Sequence, residues 1–284
     1  MLWGFRGRQL DLSLRGAIVG IVNVTPDSFS DGGAFLDPSA AFEQGLKLLK
    51  QGASLLDVGG ESTRPGSLPV SAEEELRRVV PVVKALRART DAPISIDTSK
   101  AAVAEACLSE GADIINDVTA LEGDPRMGNL VARSGAGLIL MHMQGTPETM
   151  QADPSYPQDD VVGEVAKYLS ARREAALGYG VDSAAIILDP GLGFGKTVAH
   201  NLALIRGIPQ LIKIGSPILL GHSRKSFLGK ITGVEKQSAS EDRLAAGLAV
   251  TALARSLGAS LFRVHEVRPH FDALRVTEAL AGNH

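Results

Sequence analysis

Apolar runs that end abruptly in polar residues recur along this chain. Residues 17–22 form such a run, which breaks into Asn23, Thr25, Pro26 and Asp27 and then Asp31, Gly32 and Gly33. A stretch apolar at every position reads as a strand buried on both faces. Pro, Asp and Gly cannot continue it, so a loop follows. The short runs ending at Asp97, Asp189 and Gly221 have the same form. Between them the apolar spacing is helical. Phe42, Leu46 and Leu49 follow Asp37 and Pro38, an N-cap with proline at the first helical position. Leu76, Val79, Val80, Val83 and Leu86 follow a capping box from Ser71 to Glu74. Pro81 falls inside this second helix and predicts a departure from straightness. Residues 159–179 and 240–256 also read as helices.

One phrase repeats. Gly52-Ala53-Ser54-Leu55-Leu56-Asp57 is echoed by Gly111-Ala112-Asp113-Ile114-Ile115-Asn116 and by Gly258-Ala259-Ser260-Leu261-Phe262-Arg263, with a looser copy at 134–140. In each, a glycine ends a helix, a short link follows, and an apolar strand exits into a polar residue. Strands and helices therefore alternate, in about eight units. Right-handed parallel crossovers of that number close into an α/β (β/α)8 TIM barrel. A doubly wound open sheet is the competing architecture. Residues 3–14 read as a short N-terminal hairpin or cap. No linker, low-complexity tract or charge block divides the chain, so one domain over 1–284 is expected.

Composition narrows the function. The 284 residues are 44% hydrophobic and 21% charged, as in ordinary globular proteins, and a net charge of −3 argues against a nucleic-acid partner. No apolar run reaches membrane-spanning length, and the N-terminus lacks the apolar core of a secretory signal, so a cytoplasmic protein with no membrane partner is expected. Cys107 is the single cysteine, most simply a core residue, and no internal disulfide can form.

In a barrel of this kind the strand ends face one mouth. The tips are Asn23, Asp57 with residues 61–64, Asp97, Asn116 with Asp117, His142, Asp189, Lys225, and Arg263 with His265. Asp97, Asn116 and Asp189 suit a flat, nitrogen-rich ring, because a carboxylate can accept two N–H bonds from an amidine-like edge. Arg64, Arg224, Lys225, Arg263 and His265 suit an anion such as phosphate. Arg263 and His265 are two apart on a strand, so their side chains face the same way. Asp97 and Asp189 stand out because each ends an apolar strand. Asp57 and Asp117 read instead as structural acceptors, and His142, between methionines, as packing.

The segment Gly191-Leu192-Gly193-Phe194-Gly195-Lys196-Thr197 is one residue short of a phosphate-binding P-loop, with Pro190 where the first glycine belongs. It reads as a glycine-rich turn between strand and helix, with direct phosphate binding the weaker alternative, and its backbone would let Phe194 and the glycines approach a ligand. No His, Cys and Asp grouping has metal-cage spacing, so any metal would be Mg2+ shared with substrate phosphates.

Residues 20–33 and 57–66 resemble the two signatures of the dihydropteroate synthase family. The resemblance continues through 94–98, 115–118, 140–147, 188–196, 221–226 and 263–265, nearly the whole chain; Ser99, where many members carry an aromatic residue, is a minor departure. It implies a transferase of folate biosynthesis on a TIM barrel, joining 4-aminobenzoate to 7,8-dihydropterin-6-ylmethyl diphosphate with loss of diphosphate. By that resemblance Asp97, Asn116, Asp189 and Lys225 hold the pterin. Asn23, Arg263 and His265 hold the diphosphate, with Asn23 also a ligand of Mg2+. Thr63, Arg64, Pro65, Phe194 and Ser226 border the aminobenzoate pocket, where sulfonamides would compete. Asp97, Lys225, Arg263 and His265 are the expected catalytic residues, and a homodimer is implied, for which residues 240–256 and 267–280 are the expected contact. The loops 25–36 and 59–70 are expected to close over substrates. The alternatives are a methyltetrahydrofolate–corrinoid methyltransferase, which needs no diphosphate cations, and a non-catalytic pterin-binding paralogue.

Overall fold

The computed structural model describes residues 1–25, 38–63, 66–234 and 243–282. The chain opens with an antiparallel hairpin of β1 (Leu2–Phe5) and β2 (Arg8–Asp11). Strands and helices then alternate. β3 (Ala17–Asn23) and α1 (Pro38–Lys50) lead to β4 (Leu55–Gly59) and α2 (Ala72–Arg87). Next come β5 (Ile94–Asp97), α3 (Ala101–Ser109), β6 (Ile114–Asp117) and α4 (Met127–Ser134). β7 (Gly137–Met141), α5 (Val161–Gly178), β8 (Ile186–Asp189), α6 (Val198–Arg206) and α7 (Ile208–Leu211) follow. The last elements are β9 (Leu219–Leu220), α8 (Ser226–Thr232), α9 (Leu244–Ser256), β10 (Leu261–Val264) and α10 (Val267–Leu280).

β3 to β10 form one parallel sheet in the order β8-β7-β6-β5-β4-β3-β10-β9. Leu188 bridges Ile218, and its N–H donates to the Pro217 carbonyl at 3.0 Å, which joins the sheet's two ends into a barrel. An open doubly wound sheet is thereby excluded. Gly52, Gly111 and Gly258 of the repeated phrase adopt φ of 108°, 104° and 104°, so each helix-to-strand junction makes the same left-handed turn.

Alternation along the strands separates two apolar layers. Ile18, Leu56, Ile96, Ile115, Leu138 and Leu188 pack outward under the helices. Ala17, Val19, Leu55, Ile114, Ile139, Ile187, Leu219 and Leu261 pack inside the barrel against Trp3, Phe5 and Leu12. The hairpin thus plugs the amino end of the barrel, and the Trp3 indole N–H donates to the Ala185 carbonyl at 2.9 Å. Leu14, read from sequence as part of this cap, is exposed.

Two helices differ from expectation. On α1 the buried positions are Ala41, Gly45 and Leu48, with Phe42, Leu46 and Leu49 only flanking the core. Small residues face the barrel there because the helix lies close; a Cβ on Gly45 would stand 2.9 Å from Leu86. On α2 only half the capping box forms. Ser71 Oγ accepts from the Glu74 N–H at 3.2 Å, while the Glu74 carboxylate turns to Arg77 and Arg78 instead. Pro81 leaves α2 continuous because it lies on the exposed face, where water can satisfy the carbonyl it orphans. The loop 25–36 lies outside the described residues except for Thr25, and the loop 59–70 lacks residues 64 and 65.

Candidate active site at the carboxyl ends of the strands

The site begins where the inner apolar layer stops. Two residues beyond Leu55, Ile114, Ile187 and Leu261, the inward positions become Asp57, Asn116, Asp189 and Arg263; on β5 the inward pair is Ser95 and Asp97. The period of two therefore stacks a polar layer on an apolar one at a single end of the barrel.

Hydrogen bonds join this layer across strands. Arg263 is the hub: Nε donates to Asp57 Oδ2 at 2.6 Å and Nη2 to Asp97 Oδ2 at 2.7 Å. Asn116 Nδ2 donates to the same Asp57 oxygen at 3.1 Å. Asp57 Oδ1 is buried with no hydrogen-bond partner among the described residues. Asp189, the last residue of β8, accepts from the Gly191 N–H at 2.7 Å. Lys225 caps the start of α8 and places Nζ 3.9 Å from the centre of the Phe194 ring. His265 lies just past β10, with Nδ1 3.0 Å from Ser223 Oγ, and Ser223 Oγ donates to Glu266 at 3.1 Å.

Burial sets the electrostatics. It pushes the Asp97 carboxyl up to about 7, against the pull of Arg263, and that of Asp189 up to about 6, against its bond from Gly191 and the nearby Lys225. It lowers Lys225 to about 8, helped by Arg263 and opposed by Asp189 and Asp97. Burial would also weaken the charge on Arg263, but Asp57 and Asp97 outweigh it and hold the guanidinium protonated. The site thus holds ionisable groups of both signs poised near neutrality.

The structure brings Asp97, Asn116 and Arg263 into one bonded cluster, with Asp57 at its centre. Asn23 ends β3 beside Gly59 and is half-buried. Thr63 follows β4 and Ser226 opens α8; among the described residues no hydrogen bond ties either to the cluster. Arg64 and Pro65 lie outside the described residues. Asp117 is the structural acceptor that the sequence implied, holding the N–H groups of Thr119 and Leu121. Arg224, grouped with the anion-binding cations, is paired with Glu266 instead.

Two residues were undervalued by sequence. Asp57, read as structural, is fully buried and holds two site side chains. Its parity with Leu55 was the available signal. Lys196 was overlooked, and His142 is its partner rather than packing alone: Lys196 Nζ lies 2.9 Å from His142 Nδ1. The glycine-rich turn also has a structural purpose. A Cβ on Gly191 would lie 1.9 Å from the His142 carbonyl oxygen, and one on Gly195 2.5 Å from that of Gln144, both at φ 66°. These two glycines allow close approach to neighbouring backbone.

Comparison with known proteins places this geometry. Residues 19–265 match the model of a family described as pterin binding enzyme. A dihydropteroate synthase of Neisseria meningitidis serogroup B is 47% identical, over 94% of this chain and 93% of its own length. Among solved structures, Xanthomonas albilineans dihydropteroate synthase with 4-aminobenzoic acid superposes with a TM-score of 0.89 at 46% identity, covering 97% and 96% of the two chains. The Yersinia pestis dihydropteroate synthase with a sulfonamide drug gives 0.91 at 41% identity, covering 99% and 100%. A polar crown on a plugged barrel, matched along almost its full length by these proteins, has one reading: the chain belongs to the dihydropteroate synthase family of pterin-binding enzymes.

Proposed function

We propose that the protein condenses 7,8-dihydropterin-6-ylmethyl diphosphate with 4-aminobenzoate to give 7,8-dihydropteroate and diphosphate. The observation that carries this reading is the cluster in which Arg263 spans Asp57 and Asp97, with Asn116 alongside. It sets acceptors for a flat heterocycle next to a cation for its departing anion. The relatives include a Xanthomonas albilineans enzyme solved with 7,8-dihydropteroate.

Asp97, Asn116, Asp189 and Lys225 hold the pterin; carboxylates and an amide match its N–H and carbonyl edge. Arg263, His265 and Asn23 receive the diphosphate. Phe194, Thr63 and Ser226, with Arg64 and Pro65, border the aminobenzoate, whose place sulfonamides would take. Asn23 contributes one hard oxygen, and no cluster of three His, Cys, Asp or Glu side chains suited to a metal occurs among the described residues. That donor set fits Mg2+ shared with substrate phosphates, held on the protein side by Asn23. Bound there, the ion would supply charge neutralisation to the leaving diphosphate.

Arg263 and His265 stabilise the charge that gathers on diphosphate as its bond to the methylene breaks. Positive charge is left on that methylene and spreads into the pterin ring. Asp97, as carboxylate, stabilises this cation. The aniline nitrogen is neutral at pH 7 and attacks without a strong base, then loses its proton. Positioning and electrostatics supply the acceleration in this dissociative displacement.

We also infer a homodimer in which α9 and α10 meet their counterparts. Leu253 on α9 and Val276 and Leu280 on α10 are large apolar side chains left exposed.

The deciding experiment is an assay of diphosphate release from the pterin diphosphate with Mg2+. Release that requires aminobenzoate supports the reading. No release, or release indifferent to aminobenzoate, refutes it.

A further inference from the structure

Lys196 is the most deeply buried lysine beside the site, 4% exposed, and none of the roles above uses it. Among the described residues its Nζ bonds no carboxylate. Nζ donates to the Phe194 carbonyl at 2.9 Å and the His142 carbonyl at 3.5 Å, and lies 2.9 Å from His142 Nδ1. Burial lowers the Lys196 amine to about 7, against the pull of Asp189, and its hydrogen bonds, all to neutral acceptors, are what hold it in place.

What Lys196 fastens is the turn 190–197. Other residues hold this turn at neighbouring points: Asn201 accepts from the Gly193 N–H at 2.7 Å, Gln151 donates to the Gly193 carbonyl at 2.6 Å, and Tyr156 donates to that of Gly195 at 2.9 Å. The bond to the Phe194 carbonyl comes from Lys196. Phe194 in turn carries the Lys225 ammonium over its ring, and a Cβ on Gly193 would touch the Lys225 stem at 3.1 Å. His142 orients the other end. Its ring stands edge-on to Tyr168, with centroids 4.9 Å apart. Burial and the neighbouring lysine hold the imidazole neutral, with a pKa lowered to about 3, so it can accept from the ammonium.

We propose that Lys196, braced by His142, is a positioning residue for the condensation: it fixes the Phe194 backbone and so sets the wall between the pterin and aminobenzoate halves of the site. This rests on the proposed function, which places aminobenzoate against Phe194. Lys196 acts through Phe194 and Lys225 and touches no reacting atom. The pterin acceptors Asp97 and Asn116 stand on other strands and Asp189 keeps its own bond from the Gly191 N–H, so the loss of Lys196 falls more heavily on aminobenzoate than on the pterin, which it reaches only through Lys225.

The test is steady-state kinetics of Lys196→Met and His142→Leu beside wild type, varying each substrate in turn, with thermal unfolding recorded. Lys196→Met should raise KM for aminobenzoate about tenfold while KM for the pterin diphosphate stays within about twofold. His142→Leu, which keeps the Phe194 bond, should give the same split at about threefold. Unchanged constants, or both KM values rising together with a lowered melting temperature, overturn the proposal. If Lys196→Met does not fold, His142→Leu decides it, an absent split counting against. A wild type that releases no diphosphate refutes the function and this role with it; an active wild type with an unsplit Lys196→Met refutes this role alone.

Discussion

Asp57 and Arg263 lie 206 residues apart in sequence and meet at 2.6 Å inside the barrel. The same Asp57 oxygen also takes the Asn116 amide, so one carboxylate sets the positions of both the cation proposed to receive the leaving group and the amide proposed to meet the ring. Asp57→Asn keeps the shape but removes the charge that opposes Arg263. It should lower kcat/KM for the pterin diphosphate by about 30-fold, a loss of about 2 kcal/mol at 1.36 kcal/mol per tenfold. Activity equal to wild type would show that Asp97 alone suffices to place Arg263.

Asp97→Asn tests the electrostatic role directly. The amide still accepts a hydrogen bond but cannot balance a developing cation, so kcat should fall by more than about tenfold. Turnover within about threefold of wild type, an effect of about 0.6 kcal/mol, contradicts the assignment.

Burial makes stability depend on pH in a direction opposite to that of most carboxylates. The Asp189 pKa rises to about 6 in the folded protein, from 3.8 when free. Between those values the folded state holds a proton that the unfolded state has released. Its contribution is fully present below about pH 4 and is lost as pH rises through about 6. The difference amounts to about 3 kcal/mol. Asp97 acts in the same sense up to about pH 7. The change in urea midpoint of the ligand-free protein from about pH 4 to about pH 6 should therefore include a smaller downward component in Asp189→Asn than in wild type. Parallel changes would remove Asp189 as the source.

The turn after β8 tolerates no side chain at its first glycine. Gly191→Ala meets the His142 carbonyl at a φ of 66°, so the backbone must move. The expected cost is about 2–4 kcal/mol, read as a fall in melting temperature. An unaltered melting temperature would mean that the turn rearranges freely, which its bonds to Asn201, Gln151 and Tyr156 oppose.

The inferred dimer rests on apolar exposure. Leu253→Glu combined with Val276→Glu should convert the protein to a monomer by light scattering, with the fold retained by circular dichroism. A wild type that is monomeric at micromolar concentration disposes of the interface.

Much of this site was legible before any coordinates. Asp189 announced itself because it ends a strand whose other residues are apolar, Asp97 because it ends a short strand broken only by Ser95, and Arg263 and His265 because period-two spacing turned them the same way. Asp57 was harder. It stands among the tips, yet a lone aspartate at a strand end reads as a structural acceptor, and only the closed barrel shows that it shares the inward parity of Leu55 and holds Arg263 and Asn116. Lys196 left no trace in periodicity. Its burial arises because the turn 190–197 folds onto the backbone at 142–144, an approach made by residues some fifty positions away. The face of α1 failed for a related reason: Gly45 and Ala41 are chosen for how near the helix lies, which hydrophobicity does not record.

The hairpin that seats Trp3 and Phe5 under the inner layer bears on a reaction carried out far above it. A carbocation is as open to water as to an amine, and the apolar layer inside the barrel is sealed from below by these two rings. With the lower opening stoppered by indole and phenyl rings, hydrolysis can compete only through the door by which the substrates themselves arrive.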